Sequence, residues 1–148
     1  MSFDPSFMWT AFLSLFKALP TTLCIAAISV VAGLAIGTVV ALSRLYRIPV
    51  LAQLSSAYVT FIRGTPMLMH LLLIYFGLPI VIDGIAGLLG SSFTSASIPL
   101  LAFACIAFSI TAGAYMSEVV RAGILAVDKG HIEAAHSVGM TTPQALRR

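Results

Sequence analysis

Three uncharged apolar runs divide the chain, and polar or basic stretches separate them. The first, Ala18 to Ser43, has 26 residues, enough for a tilted helix across a hydrocarbon core about 30 Å thick. Pro20, followed by Thr21 and Thr22, predicts its start, while Arg44, Arg47 and Pro49 predict its end. The second run, Pro66 to Ile82, has 17 residues; as a helix it would span about 25 Å, short for a crossing. The third, Ile98 to Ser117, has 20. Spans are therefore predicted near 20–43, 66–82 and 98–117.

The intervening stretches carry different patterns. Phe3, Phe7, Trp9, Phe12 and Phe16, with Asp4 and Lys17, suit an interfacial segment with rings at headgroup depth. No basic n-region precedes a short apolar core, so a cleaved signal peptide is not expected. From Val50 to Ile62, polar residues (Gln53, Ser55, Ser56, Tyr58, Thr60) interrupt the apolar ones, which predicts a short interfacial or bundle-covering helix. Arg63-Gly64-Thr65-Pro66 then predicts a turn, with Thr65 as N-cap and Pro66 in the first turn of the next helix. Asp83 to Ser97, rich in Gly and Ser, reads as a loop.

Within the spans, small residues recur every four positions: Ser29, Gly33, Gly37 and Ala41 in the first, Ser109, Gly113 and Ser117 in the third. Such stripes let helix backbones approach closely in lipid, either inside one bundle or at a subunit-dimer face. His70 is the single ionisable group of the second span. It has three readings: an interhelical hydrogen bond, a pathway-lining role and a metal ligand. Glu118 and Arg121, three apart on one face, can pair. Each would cost about 2.5–3.5 kcal/mol at mid-bilayer, which places them at or past the membrane edge.

Composition narrows the class. Hydrophobic residues make up 59% and charged residues 9%, with a mean hydropathy of +1.05, against roughly 25% charged in soluble domains. The chain reads as an all-α, polytopic membrane protein. Cys24 and Cys105 fall inside apolar runs and are expected to be buried free thiols. The net charge of +3 is small and points to topology rather than to nucleic acid. Arg44, Arg47, Arg63, Arg121, Lys129, Arg147 and Arg148 lie on one side of the predicted membrane and Lys17 on the other. The positive-inside rule makes the basic side cytoplasmic and leaves the N-terminus outside.

The last polar stretch, Gly130-His131-Ile132-Glu133-Ala134-Ala135-His136-Ser137-Val138-Gly139, is therefore cytoplasmic. Ala134 and Ala135 admit a second surface close to the helix backbone, and Ile132 and Val138 offer modest apolar knobs. Gly139 is placed to stop the helix in a left-handed conformation. Thr142 as N-cap and Pro143 in the first turn start another helix at once. A metal site in HIEAAH is disfavoured, because His131 and His136 stand five apart and diverge by roughly 140° around a helix. The chain has no Walker A loop and no nucleophile elbow, so ATP hydrolysis would fall to another chain, and no cofactor is expected.

Four stretches carry a family resemblance: TTLCIAAISVVAGLAIGTVVALSR, FIRGTPMLMHLLLIYFGLP, YMSEVVRAGILAVDKGHIEAAHSVGM and TPQALRR. Together the chain resembles the permease subunit of a type I ABC importer, in the branch for polar amino acids such as histidine, glutamine, arginine or cystine. The resemblance implies a transmembrane permease domain over 1–148, partial, with three of an expected five spans, in a bacterial cell membrane. It implies a non-catalytic subunit that forms the translocation pathway and works by alternating access. Glu133, Ala134, Ala135 and Gly139 would form the ATPase-coupling EAA loop near 127–142. Arg63, Gly64, Thr65 and Pro66 would lie at the cytoplasmic mouth of the second span, and His70, Ser109, Ser117 and Glu118 are the candidate pathway or bundle-polar groups. The implied partners are ABC ATPase subunits, an extracytoplasmic amino-acid-binding protein, a second permease subunit and membrane lipid. His70 stands where such permeases commonly carry Gln, Asp128 replaces a usual Pro, and Val138 a usual Leu. The alternative is a small non-ABC helical channel or assembly scaffold.

Overall fold

The computed structural model describes residues 5–147, and among them there are helices and no strands. Arg148, one of the predicted basic residues, lies outside the described residues, as do Phe3 and Asp4 and the side chains of Lys129 and Ile132. The first helix, α1, runs unbroken over Pro5–Leu45, so Pro20 lies inside it rather than at its start. An interior proline costs about 3 kcal/mol. Opening the helix within an apolar run would expose several backbone groups in lipid, at several kcal/mol each. Continuation is the cheaper outcome. At 41 residues, α1 is about 61 Å long, twice the hydrocarbon thickness. Trp9, Phe12 and Phe16 stack along its exposed first turns. Cys24 is exposed on its surface, against the expectation of burial.

A tight linker with left-handed backbone at Arg47 and Val50 turns the chain into α2, Leu51–Gly64. Here the interrupted polar pattern does form a short helix. Its buried face carries Ser55, Val59 and Ile62. Ser43 gives its proton to the Val40 carbonyl, so Ser55 donates to Ser43 across 2.7 Å. The Tyr58 hydroxyl donates to the Ile110 carbonyl.

The next helix, α3, occupies Met67–Leu88, six residues beyond the predicted end at Ile82. A wider π turn covers Leu73–Gly77, just ahead of Pro79, whose ring would strike the Tyr75 carbonyl in a regular turn. Asp83 is thus helical, and it clasps the short turn Ser95–Ser97. The Ser95 amide donates to Asp83 Oδ1 at 2.6 Å, and the Ser95 hydroxyl to Oδ2 at 2.7 Å.

The long helix α4, Leu100–Leu125, continues eight residues past the predicted end at Ser117. Two short helices follow, α5 at Lys129–Ser137 and α6 at Thr142–Arg147. Among the described residues, three helices are long and apolar enough to cross a membrane: α1, α3 and α4.

The core is the seam between α1 and α4. A Cβ added to Gly33 would lie 2.6 Å from Ala112 Cβ, and one added to Gly37 would lie 2.8 Å from the Ser117 amide nitrogen. A Cβ on Gly113 would meet the Ile36 side chain at 2.7 Å. The two small-residue stripes therefore face each other within one bundle, and their numbers rise together, so α1 and α4 run parallel. Ala41 and Ser43 on α1 and Ala107, Ala114 and Ser117 on α4 are buried.

Candidate pathway and coupling corner

The α2–α3 junction is where the structure departs most from the sequence reading. Ser55 stands beside Ser43 near the foot of α1, and from there α2 climbs alongside α4. Its end is level with Thr111, near the middle of a 26-residue helix. The turn Arg63-Gly64-Thr65-Pro66 therefore packs against the α4 stretch between Thr111 and Glu118. Helices α2 and α3 make one passage alongside α4, broken at this turn, and α3 alone is long and apolar enough for a span. The expected capping is also different: Pro66 occupies the N-cap position, while the Thr65 hydroxyl donates to the Phe61 carbonyl of its own helix.

His70 closes this break. It is 5% exposed; Nε2 meets the Thr65 hydroxyl and Nδ1 meets the Thr111 hydroxyl at 3.2 Å. Thr111 in turn donates to the Ala107 carbonyl. Of the three readings for His70, the geometry displays the interhelical hydrogen bond.

Ser29 on α1 is 6% exposed, and its hydroxyl has no hydrogen-bond partner. It borders a half-open cavity of about 370 Å³ between α1, the α2–α3 break and α4. Thr65, Thr111 and Tyr115 share the lining with apolar Ala26 and Phe108. A buried unpaired hydroxyl costs about 1–3 kcal/mol, while the wall the cavity exposes is almost entirely apolar. Among the other candidates, Ser109 is buried on the α4 face. Ser117 is fully buried, and its hydroxyl donates to the Ala114 carbonyl at 2.7 Å.

Glu118 lies below this level. Arg121 gives it two hydrogen bonds, at 3.0 and 2.9 Å. Arg44 also donates to it across 74 positions of sequence. The pair on one helix face was legible in the sequence. The partner on α1 was not, although equal depth for the closing arginine of one span and the acid of another was the available signal.

The predicted coupling corner is the α5–α6 pair at the C-terminal side of α4. Asp128 caps α5 by accepting from the Gly130 amide at 2.8 Å, a role its replacement of proline did not suggest. Gly139 has φ of +82°. The Gly139 amide donates to the His136 carbonyl and the Met140 amide to the Ala135 carbonyl, each at 3.0 Å. This pair of bonds is the Schellman arrangement. The α6 cap is Thr141, one residue earlier than expected: its amide and hydroxyl both donate to Gln144 Oε1. Helices α5 and α6 pack mainly on each other. Glu133 and Ala134 are exposed, Ala135 is half-buried, and Val138 is 74% exposed. His136 faces the Thr142 hydroxyl at 3.4 Å, and no trio of metal-ligating side chains gathers among the described residues.

Comparison with known proteins supplies the context for this geometry. Residues 33–148 match the family described as binding-protein-dependent transport system inner membrane component. The chain is 41% identical, over its full length, to the probable amino-acid ABC transporter permease protein PatM of Vibrio harveyi, covering 62% of that protein. Over 88% of its length it is 39% identical to the L-cystine transport system permease protein TcyL of Bacillus subtilis strain 168, covering 52% of it. A crystal structure of an amino acid ABC transporter with histidines superposes with a TM-score of 0.75 at 35% identity, over 99% of this chain and 63% of that one. The chain thus spans between about half and just under two thirds of the proteins it matches.

Proposed function

Because the chain belongs to the family of binding-protein-dependent transport system inner membrane components, we propose that it is the membrane-spanning part of an amino acid importer, driven by a separate ATPase that grips the α5–α6 corner. One observation carries this reading. The corner is fixed in shape by its caps and the left-handed Gly139, yet its Glu133-Ala134 face is open rather than packed on the bundle. A rigid projection with a small-residue surface is what a partner needs to seat against it and push.

The proposed orientation follows the basic residues, with the corner in the cytoplasm and the N-terminal end of α1 outside. An extracytoplasmic binding protein would deliver the amino acid, and a second permease subunit would complete the path. Within this chain, the cavity below Ser29 and the His70-bridged break are the groups that would line it. Broken helices commonly serve this purpose, since unwound backbone is tolerated within a membrane only beside protein or a wet cavity. Cystine is the first substrate to test, on the likeness to a cystine permease.

The test is capture of the nucleotide-binding subunit by the full chain in detergent. Glu133→Lys and Gly139→Trp are expected to abolish capture while the helix content stays unchanged. Capture that survives both substitutions refutes the coupling assignment. Uptake of labelled cystine by proteoliposomes holding the complete complex then reads the substrate.

A further inference from the structure

Three guanidinium groups converge on one carboxylate where α1, α2 and α4 meet. Glu118 Oε1 accepts from Arg44, and Oε2 accepts both bonds from Arg121. Arg63 stops 3.9 Å from Oε1, and its guanidinium lies 5.6 Å from the centre of the Tyr115 ring. Both oxygens of Glu118 are therefore occupied, and Arg63 is held by an aromatic face with its hydrogen-bond donors unused. Two positive charges remain in excess. The carboxylate is 21% exposed, behind arginines whose side chains are 23%, 46% and 38% exposed for Arg44, Arg63 and Arg121.

Depth says what this cluster meets. Along α4, Glu118 is about 27 Å from Leu100, which is close to the hydrocarbon thickness of about 30 Å. With the Leu100 end at one boundary, the arginines open onto the phosphate plane of the opposite leaflet. We infer that the Arg44–Arg63–Arg121 cluster is a binding site for the phosphodiester of an anionic phospholipid in that leaflet, with Arg63 as the recognition residue. The planar fork of an arginine matches two phosphate oxygens, and basic pockets between transmembrane helices take acidic headgroups. Arg44 and Arg121 act differently, since by neutralising Glu118 they keep its charge from repelling the phosphate. Phosphatidylcholine carries the same phosphodiester beside its own cation, so the excess positive charge selects against it. This inference stands apart from the transport reading, because it needs neither an ATPase nor a substrate.

The experiment uses the full chain in nanodiscs of mixed phosphatidylglycerol and phosphatidylcholine, with the retained lipids counted by native mass spectrometry. Wild type is expected to retain phosphatidylglycerol several-fold over phosphatidylcholine. Arg63→Gln should abolish that preference with helix content unchanged. Arg63→Lys should retain less than wild type, and Lys17→Gln, at the other end of the bundle, should change nothing. Equal retention of the two lipids by wild type, or an undiminished preference in Arg63→Gln, overturns the site. Stabilisation by inorganic phosphate in phosphatidylcholine nanodiscs, without any phosphatidylglycerol preference, would make a free ion the ligand and overturn the lipid.

Discussion

The α1–α4 seam and the α5–α6 corner both depend on glycine, for opposite reasons. In the seam, Gly33, Gly37 and Gly113 have ordinary helical backbones, and what matters is the missing Cβ, whose place a neighbouring helix already fills. At the corner, nothing lies within 4 Å of a Cβ built on Gly139, and what matters is its positive φ. The first kind of glycine sets how close two helices come and so governs the stability of the bundle. The second sets a direction of chain and so the shape of the exposed corner, which is the surface proposed for a partner. The same residue type therefore yields two separable phenotypes.

Gly37→Val gives the largest expected effect. Its Cβ would meet the Ser117 nitrogen and the Gly113 oxygen at 2.8 and 2.9 Å, backbone atoms that cannot swing aside. A loss of about 3 kcal/mol is expected, read as an earlier midpoint in detergent denaturation; an unchanged midpoint would dissolve the seam as the core. Next comes Glu118→Gln, which strands Arg44 and weakens the tie between α1 and α4, at about 1–3 kcal/mol by the same measurement. Gly139→Ala should cost about 1–2 kcal/mol of local strain. It should leave the bundle midpoint in place while lowering capture of the ATPase, so a shifted midpoint with intact capture would reverse the contrast. The smallest effect belongs to Gly84→Ala on α3, where a Cβ meets open space. Better helix propensity should raise stability by up to about 1 kcal/mol.

These contrasts show which parts of the molecule were legible in the sequence. The spans were, because long uncharged runs have one stable fate in lipid, and the four-residue spacing of small side chains disclosed the seam. The left-handed Gly139 was equally plain, since helix ends obey local rules. Boundaries were less so. Pro20 and Asp83 look like breaks when read alone, but a membrane penalises unpaired backbone more than it penalises a proline, and Asp83 finds partners in Ser95. The packing of the Arg63–Pro66 turn against α4 was hidden for another reason. A proline after a glycine announces a bend without saying how far the preceding helix has climbed, and that is set by the packing of α2 on α4 through Ser55 and Tyr58. The Arg44–Glu118 contact likewise depends on two distant helices arriving at one height.

The parallel course of α1 and α4 settles a question of parity. Two neighbours that point the same way require one return passage between them, and α2 with α3 supplies a single one. With α1, α3 and α4 as the crossings their length and apolarity allow, the start of α1 and the α5–α6 corner are expected in different compartments. A fluorescent quencher confined to one compartment should darken a dye at Thr10 or a dye at Ser137, never both.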